Sequence, residues 1–404
     1  MKTPVSRRLH AMPVASLALA AAVLLAACGG GDTWPDGPQA DSSSVATARS
    51  GMNAVVSATD DTHSSLLRSA TPLSTVAVHQ VIAATAGAGV PAIGPIYDVQ
   101  TYRLTYTTID GNQQPIIASG LLAVPKKGPG ASSPVISYQH ATIFRDAQAP
   151  SNNPTATEPA VVMAAMGYVV VAADYVGYGV SKGAPHPYLM AAPMAAAVVD
   201  LLYAARDHAG RSGLVLNGQL FLVGYSQGGH ATLAAQRALQ ARGGDIAGAV
   251  LGSAPGGGPL DVGATLDELL RRVRDENVLL SLLVDPRLLQ NLGADLRRQV
   301  RDDADVVFQT RFIDNFLAND RGAIERDSDV HDWRPAMPVR MFHGRDDQTV
   351  PFVASQRAQQ AMLARAAPDV QLAECTALPA GHLECVPQYW QHMLSQMARV
   401  VRDL

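Results

Sequence analysis

Apolar and polar residues alternate over 97–109 and again over 115–124, on either side of Asp110-Gly111-Asn112. That pattern predicts a β-hairpin. Beyond it, short β-rich apolar runs take turns with longer runs of helical period. The predicted strands are 134–138, 168–173, 220–223, 247–252, 339–342 and 370–374, and the predicted helices are 158–166, 190–208, 227–241, 352–366 and 387–404. Strands that alternate with helices imply βαβ crossovers, so the expected class is α/β, a mostly parallel central sheet with helices on both faces.

One stretch departs from this rhythm. Residues 260–330, flanked by Pro259 and Pro335, carry amphipathic runs such as 266–273 and 288–300 and no strand pattern. They are expected to form a helical cap insertion between two strands. Such an insertion either packs on the body or covers a substrate cleft. Its apolar residues Leu279, Leu280, Leu282, Leu283 and Phe308 suit a cap core better than an acyl pocket.

The start of the chain follows another logic. Lys2, Arg7 and Arg8 precede an apolar stretch over 11–27 that ends in Leu25-Ala26-Ala27-Cys28. This reads as an export signal, and the small residues before Cys28 resemble the lipobox of bacterial lipoproteins. Residues 1–27 are therefore expected to be removed, with lipid attached to Cys28 and the protein anchored on the periplasmic or cell-surface side. Residues 28–88 are rich in Gly, Ser, Thr, Ala and Asp, which predicts a flexible tether, with a short helix possible over 79–86. The folded domain is expected over 89–404.

Composition adds two exclusions. Of 404 residues, 48% are hydrophobic and 16% charged, and Lys+Arg 31 against Asp+Glu 35 offers no broad basic face for nucleic acid. Only the extreme N-terminus approaches the length of apolar chain that spans a membrane, so membrane association is expected through the lipid alone.

Chemistry concentrates at three places. Leu220-Phe221-Leu222-Val223 leads directly into Gly224-Tyr225-Ser226-Gln227-Gly228 and then into a helical run. A GxSxG string between strand and helix forms a sharp turn that presents its serine, which makes Ser226 the candidate nucleophile. A serine needs a general base, and the base a carboxylate, following in the order Ser, acid, His. Past the strand 339–342, Asp347 lies three residues before Val350 in an HGxxDxxVP pattern and is the candidate acid, with Asp346 as the alternative. His382, in the Gly-containing loop between the last strand and the last helix, is the candidate base. His343, His230 and His140 read as structural, and His10 and His63 precede the domain.

An oxyanion calls for two backbone N–H donors. One is assigned to Gln227, the residue after the nucleophile, and the other to Thr142 or Ala141 in the loop after strand 134–138. Cys375 and Cys385 bracket His382, and in an exported protein they are expected to form a disulfide that pins the histidine loop. No zinc-type cluster of Cys and His is seen, and no metal or organic cofactor is expected.

Taken together, these motifs resemble the α/β-hydrolase fold and, more narrowly, the secretory lipase group of bacterial esterases and fungal lipases. Gly167 to Gly179 followed by His186-Pro187-Tyr188-Leu189 adds to that likeness, over roughly 97–404. The resemblance implies a serine esterase or lipase acting on small-molecule or lipid esters through Ser226, Asp347 and His382. Ala141 stands where the group more often has Gly. Asp174 and His186 are expected to serve turn and loop hydrogen bonding. An acyltransferase or peptidase with the same three residues, or a surface binding module that has kept the fold, are the competing readings.

Overall fold

The computed structural model describes residues 66–87, 94–276, 304–309 and 311–404. The expected signal segment, Cys28, most of the tether, the predicted helix 288–300 and Leu279, Leu280, Leu282 and Leu283 lie outside the described residues.

The first half of the chain forms β1 (Leu67–Val76), α1 (Val78–Gly87), β2 (Val99–Ile109), β3 (Pro115–Pro125), β4 (Ser133–Gln139), α2 (Pro159–Ala165), β5 (Val169–Ala173) and α3 (Ala191–Ser212). There follow β6 (Leu216–Tyr225), α4 (Gln227–Arg242), α5 (Gly244–Ala249), β7 (Val250–Gly256), α6 (Val262–Glu276), α7 (Arg311–Leu317), α8 (Arg321–Asp327), β8 (Val339–His343), α9 (Val353–Ala364), β9 (Val370–Glu374) and α10 (Val386–Ala398). The strands make one nine-stranded sheet in the order β1-β2-β3-β5-β4-β6-β7-β8-β9. The β5-β4-β6-β7-β8-β9 part is parallel, while β1, β2 and β3 pair antiparallel with their neighbours. The sheet is mostly parallel and covered on both faces, the expected α/β class.

The continuous apolar runs follow from that double cover. All of β4 and β5 is buried. Val169, Val171, Leu220 and Leu222 pack with α3 and α4, whereas Val170, Ile136, Phe221 and Val223 pack with α1, α2 and α10 on the opposite face. The hairpin between β2 and β3 closes where Asp110 Oδ1 accepts the N–H groups of Asn112 and Gln114, each at 2.8 Å.

Several boundaries differ from expectation. The segment read as tether to residue 88 already enters the sheet at Leu67: β1 is an edge strand on β2, so the domain begins well before residue 89. Its polar sequence hides it, because most of its side chains stay in solvent and its stability comes from the ladder and from pairs such as Ser69 with Thr105 and Thr75 with Gln100. Pro72 is tolerated there, as it is on an edge. Strand β7 starts at Val250, after a short helix occupies Gly244–Ala249, and α10 ends at Ala398.

Helices α6, α7 and α8 are inserted between β7 and β8. Leu266, Leu269, Phe312, Ile313 and Ile324 from these helices share one cluster with Phe144, Tyr188, Leu189 and Val350 of the body. Phe308, also in the insertion, packs against the rings of Phe144, His186 and Tyr188. Among the described residues, no helix is long and apolar enough to cross a membrane.

Candidate active site

The site is built around the turn from β6 into α4. Ser226 occupies that turn at φ 58° and ψ −123°, a conformation that costs a residue with a side chain on the order of 1–3 kcal/mol and persists only where its surroundings impose it. The neighbouring glycines show why. A Cβ on Gly224 would lie 2.4 Å from the Gly228 oxygen, and one on Gly229 would lie 2.7 Å from the Gly256 oxygen. Backbone therefore meets backbone on both sides of the serine, and Ser226 N donates to Gly256 O at 2.8 Å.

The structure brings the three predicted side chains together. Ser226 Oγ lies 3.0 Å from His382 Nε2, and His382 Nδ1 lies 2.6 Å from Asp347 Oδ2. All three residues are buried. Asp347 Oδ1 accepts the N–H groups of Thr349 and Val350, each at 2.8 Å, which orients the carboxylate towards the imidazole. Burial by itself would raise the Asp347 carboxyl; the hydrogen bonds and charge of His343 and His382 outweigh it and hold the group well below the usual carboxylate range. Asp346, the alternative acid, faces elsewhere: its Oδ2 accepts the Ala380 N–H at 2.9 Å, and its own N–H donates to Ala380 O.

The loop that carries His382 is held from several directions. Cys375 and Cys385 form a disulfide across it, with Cα atoms 5.8 Å apart. Tyr225, the residue before the serine, donates its hydroxyl to His382 O at 2.7 Å. His343 stands behind the acid, with Nε2 2.9 Å from Val350 O and 3.2 Å from Asp347 Oδ2, and Nδ1 2.7 Å from the Ser355 hydroxyl. From the insertion, Arg272 donates to Asp347 O at 3.0 Å, so α6 touches the acid turn.

Of the predicted oxyanion donors, Gln227 opens α4, where the helix dipole adds to its N–H. Its buried side chain meets His186, Nε2 to Nε2 at 2.6 Å. Thr142 is buried with its hydroxyl 3.1 Å from Tyr188 Oη, and Ala141 is half-buried with its carbonyl accepting from His140 Nδ1 at 2.7 Å. His140 stays neutral, since burial pushes its imidazole down to about 4. Asp174 accepts from Ser119 and from both the N–H and hydroxyl of Ser151, which is loop bonding. His230 likewise bonds the Ser328 carbonyl, at 2.7 Å. The roles of Tyr225 and of the Gln227 side chain carry no local signal in the chain, because both depend on partners more than forty residues away.

The model of the alpha/beta hydrolase family matches residues 158–402 of the chain. The chain belongs to the alpha/beta hydrolase family. No curated protein matches it. Among solved structures it is similar to a protein of Legionella pneumophila described as a hydrolase, at 22% identity and TM-score 0.64, over 82% of this chain and 97% of that one. It is similar, too, to the rice cell wall degrading esterase LipA of Xanthomonas oryzae in a ligand-bound form, at 22% identity and TM-score 0.61, over 83% and 98% of the two chains. These likenesses show a shared hydrolase fold. The family match begins at residue 158 and so spans the serine, acid and histidine turns alike.

Proposed function

We propose that this alpha/beta hydrolase cleaves carboxylic esters through an acyl-enzyme on Ser226. The observation that carries the reading is the hydrogen-bonded series from Ser226 Oγ through His382 to Asp347, at 3.0 and 2.6 Å. Shared fold alone does not carry an activity, and ester cleavage, the activity named for the Xanthomonas protein, is taken over here on that series.

In this reading Ser226 Oγ attacks the ester carbonyl while His382 Nε2 takes its proton. The tetrahedral oxyanion is met by Gln227 N–H and by an N–H of Thr142 or Ala141. His382 then returns the proton to the departing alkoxide. Water, deprotonated by the same nitrogen, attacks the acyl carbon, and the acid leaves as Ser226 regains its proton. Asp347 keeps the proton of neutral His382 on Nδ1 and stabilises the imidazolium. An acyltransferase would differ only in the alcohol that reaches the acyl-enzyme.

The proposal extends to place. Cys28 would carry the lipid and residues 66–404 would work outside the inner membrane, in keeping with the disulfide. Turnover of p-nitrophenyl acetate and butyrate by the wild type and by Ser226→Ala tests the chemistry. The variant should lose nearly all turnover; equal rates in the two proteins would refute the esterase reading. Metabolic labelling with a lipid probe tests the anchor, and label that survives Cys28→Ser would refute it.

A further inference from the structure

His186 lies outside the Ser226, His382 and Asp347 series, yet its ring reaches the residue beside the nucleophile. Its Nδ1 is 2.8 Å from Val176 O, and because a carbonyl only accepts, Nδ1 carries the hydrogen. The neutral ring then offers Nε2 as an acceptor, and the Gln227 amide 2.6 Å away must donate to it. Burial, eased only in part by that carbonyl, pushes the His186 imidazole down to about 3, so this polarity holds across any ordinary assay pH.

The ring has little freedom to withdraw. His186 N donates to Val307 O and Gln309 N donates to His186 O, both at 2.7 Å, which sews its backbone to the segment of the insertion just before α7. A Cβ on Gly177, at φ +101°, would lie 2.9 Å from His186 Cβ, so only glycine permits this approach. The rings of Tyr178, Tyr188 and Phe308 meet the imidazole edge-on.

One detail argues against simple packing. Among the described residues, Gln227 Oε1 is buried with no hydrogen-bond partner. An apolar side chain would avoid that cost, so the glutamine amide sits here at a net expense to stability.

We propose that His186 is a positioning residue for ester cleavage: it anchors the Gln227 side chain, so that the Gln227 N–H at the first turn of α4 stays aimed at the tetrahedral oxyanion. The proposal rests on the esterase reading above. It does not alter the roles of Ser226, His382 or Asp347.

The test uses the full-length protein and four variants, His186→Phe, Gln227→Leu, the double variant and His186→Gln, with Ser226→Ala as the blank. Gln227→Leu keeps the backbone N–H. Each is read by kcat and KM for p-nitrophenyl butyrate, by inhibition with phenylboronic acid, which forms a tetrahedral adduct on the serine, and by Tm. The two single substitutions should lower kcat about tenfold with KM within about twofold, and weaken boronate inhibition by a similar factor. The double variant should be no worse in kcat than either single, while its Tm returns towards wild type because both polar partners are gone. His186→Gln, which can still present an acceptor, should stay within about threefold of wild type.

Recovery of kcat together with Tm in the double variant would make the pair structural and overturn the proposal. So would a loss confined to KM, additive losses in kcat, or no loss at all. Should the single variants fail to fold, the double variant and His186→Gln carry the test. Wild-type turnover no faster than Ser226→Ala would overturn the esterase reading and this proposal with it, whereas wild-type turnover well above that blank with His186→Phe unchanged would overturn this proposal alone.

Discussion

A Cβ on Gly228 would lie 2.0 Å from the main-chain oxygen of Gln139, so the first turn of α4 rests directly on the end of β4. This contact sets the distance between the serine turn and the loop that holds Ala141 and Thr142. Gly228→Ala must push the two apart. Overpacking of this kind costs about 1–3 kcal/mol, and a displacement of about 1 Å in a reacting group can cost about a hundredfold in rate. The expected outcome is a folded but destabilised protein with turnover of p-nitrophenyl butyrate reduced by about that factor, measured beside a thermal melt. Wild-type turnover in a folded Gly228→Ala protein would contradict it.

Asp346 and Asp347 are adjacent and face different partners, Ala380 N–H and His382 Nδ1. Asp347→Asn should leave the fold in place and lower kcat by on the order of a thousandfold or more, since the amide favours the wrong imidazole tautomer. Asp346→Ala, which loses one hydrogen bond to the histidine loop, should cost less than about tenfold in kcat and about 1 kcal/mol in stability. Reversed magnitudes would exchange the two roles.

The disulfide closes a sequence separation of 10 residues around His382. In the chain-entropy view such a link stabilises by roughly 2–3 kcal/mol. The Cys375→Ser/Cys385→Ser double variant should melt several degrees lower and lose kcat more than affinity, because the loop that presents His382 loosens. Thiol titration of residues 66–404 under denaturing, non-reducing conditions should find no free thiol, and two would contradict the pairing.

At the roots of the insertion, Asp329 Oδ1 accepts the Val262 N–H at 2.7 Å, and Asp261 lies beside it. Burial and then the charge of Asp261, opposed by His331, push the Asp329 carboxyl up to about 6. An acid whose folded value is raised holds more protons folded than unfolded between about pH 4 and 6, so its contribution to stability falls as pH rises through that window. Asp329→Asn keeps the Oδ1 acceptor and removes the charge. It should raise stability by on the order of 3 kcal/mol at pH 8 and by almost nothing at pH 4. Melts at the two pH values check this, and an equal change at both would count against it.

Much of the site is legible in the chain because its parts are local. The apolar run 220–223 followed by Gly224 and Ser226 specifies a strand, a tight turn and a helix within a few residues, and the structure adds only the backbone contacts that hold the turn. The order Ser, Asp, His follows from the same reading. The edge strand β1 was not legible: half of its residues are polar, only its two end residues are buried, and its stability comes from β2, some 25 to 39 residues further on. Periodicity registers a buried face, and β1 has almost none.

Residue type and spacing by themselves determined the α/β class, the insertion between two strands, and the candidates Ser226, Asp347 and His382, because each is written in a short stretch with its own period or turn chemistry. That Asp347 and not Asp346 meets the imidazole, that Tyr225 holds the histidine loop, and that His186 reaches Gln227 were decided only by tertiary structure. Adjacent residues in a turn can point in opposite directions, and a hydrogen bond between residues forty or a hundred and fifty positions apart exists only once the sheet has brought their loops to one edge.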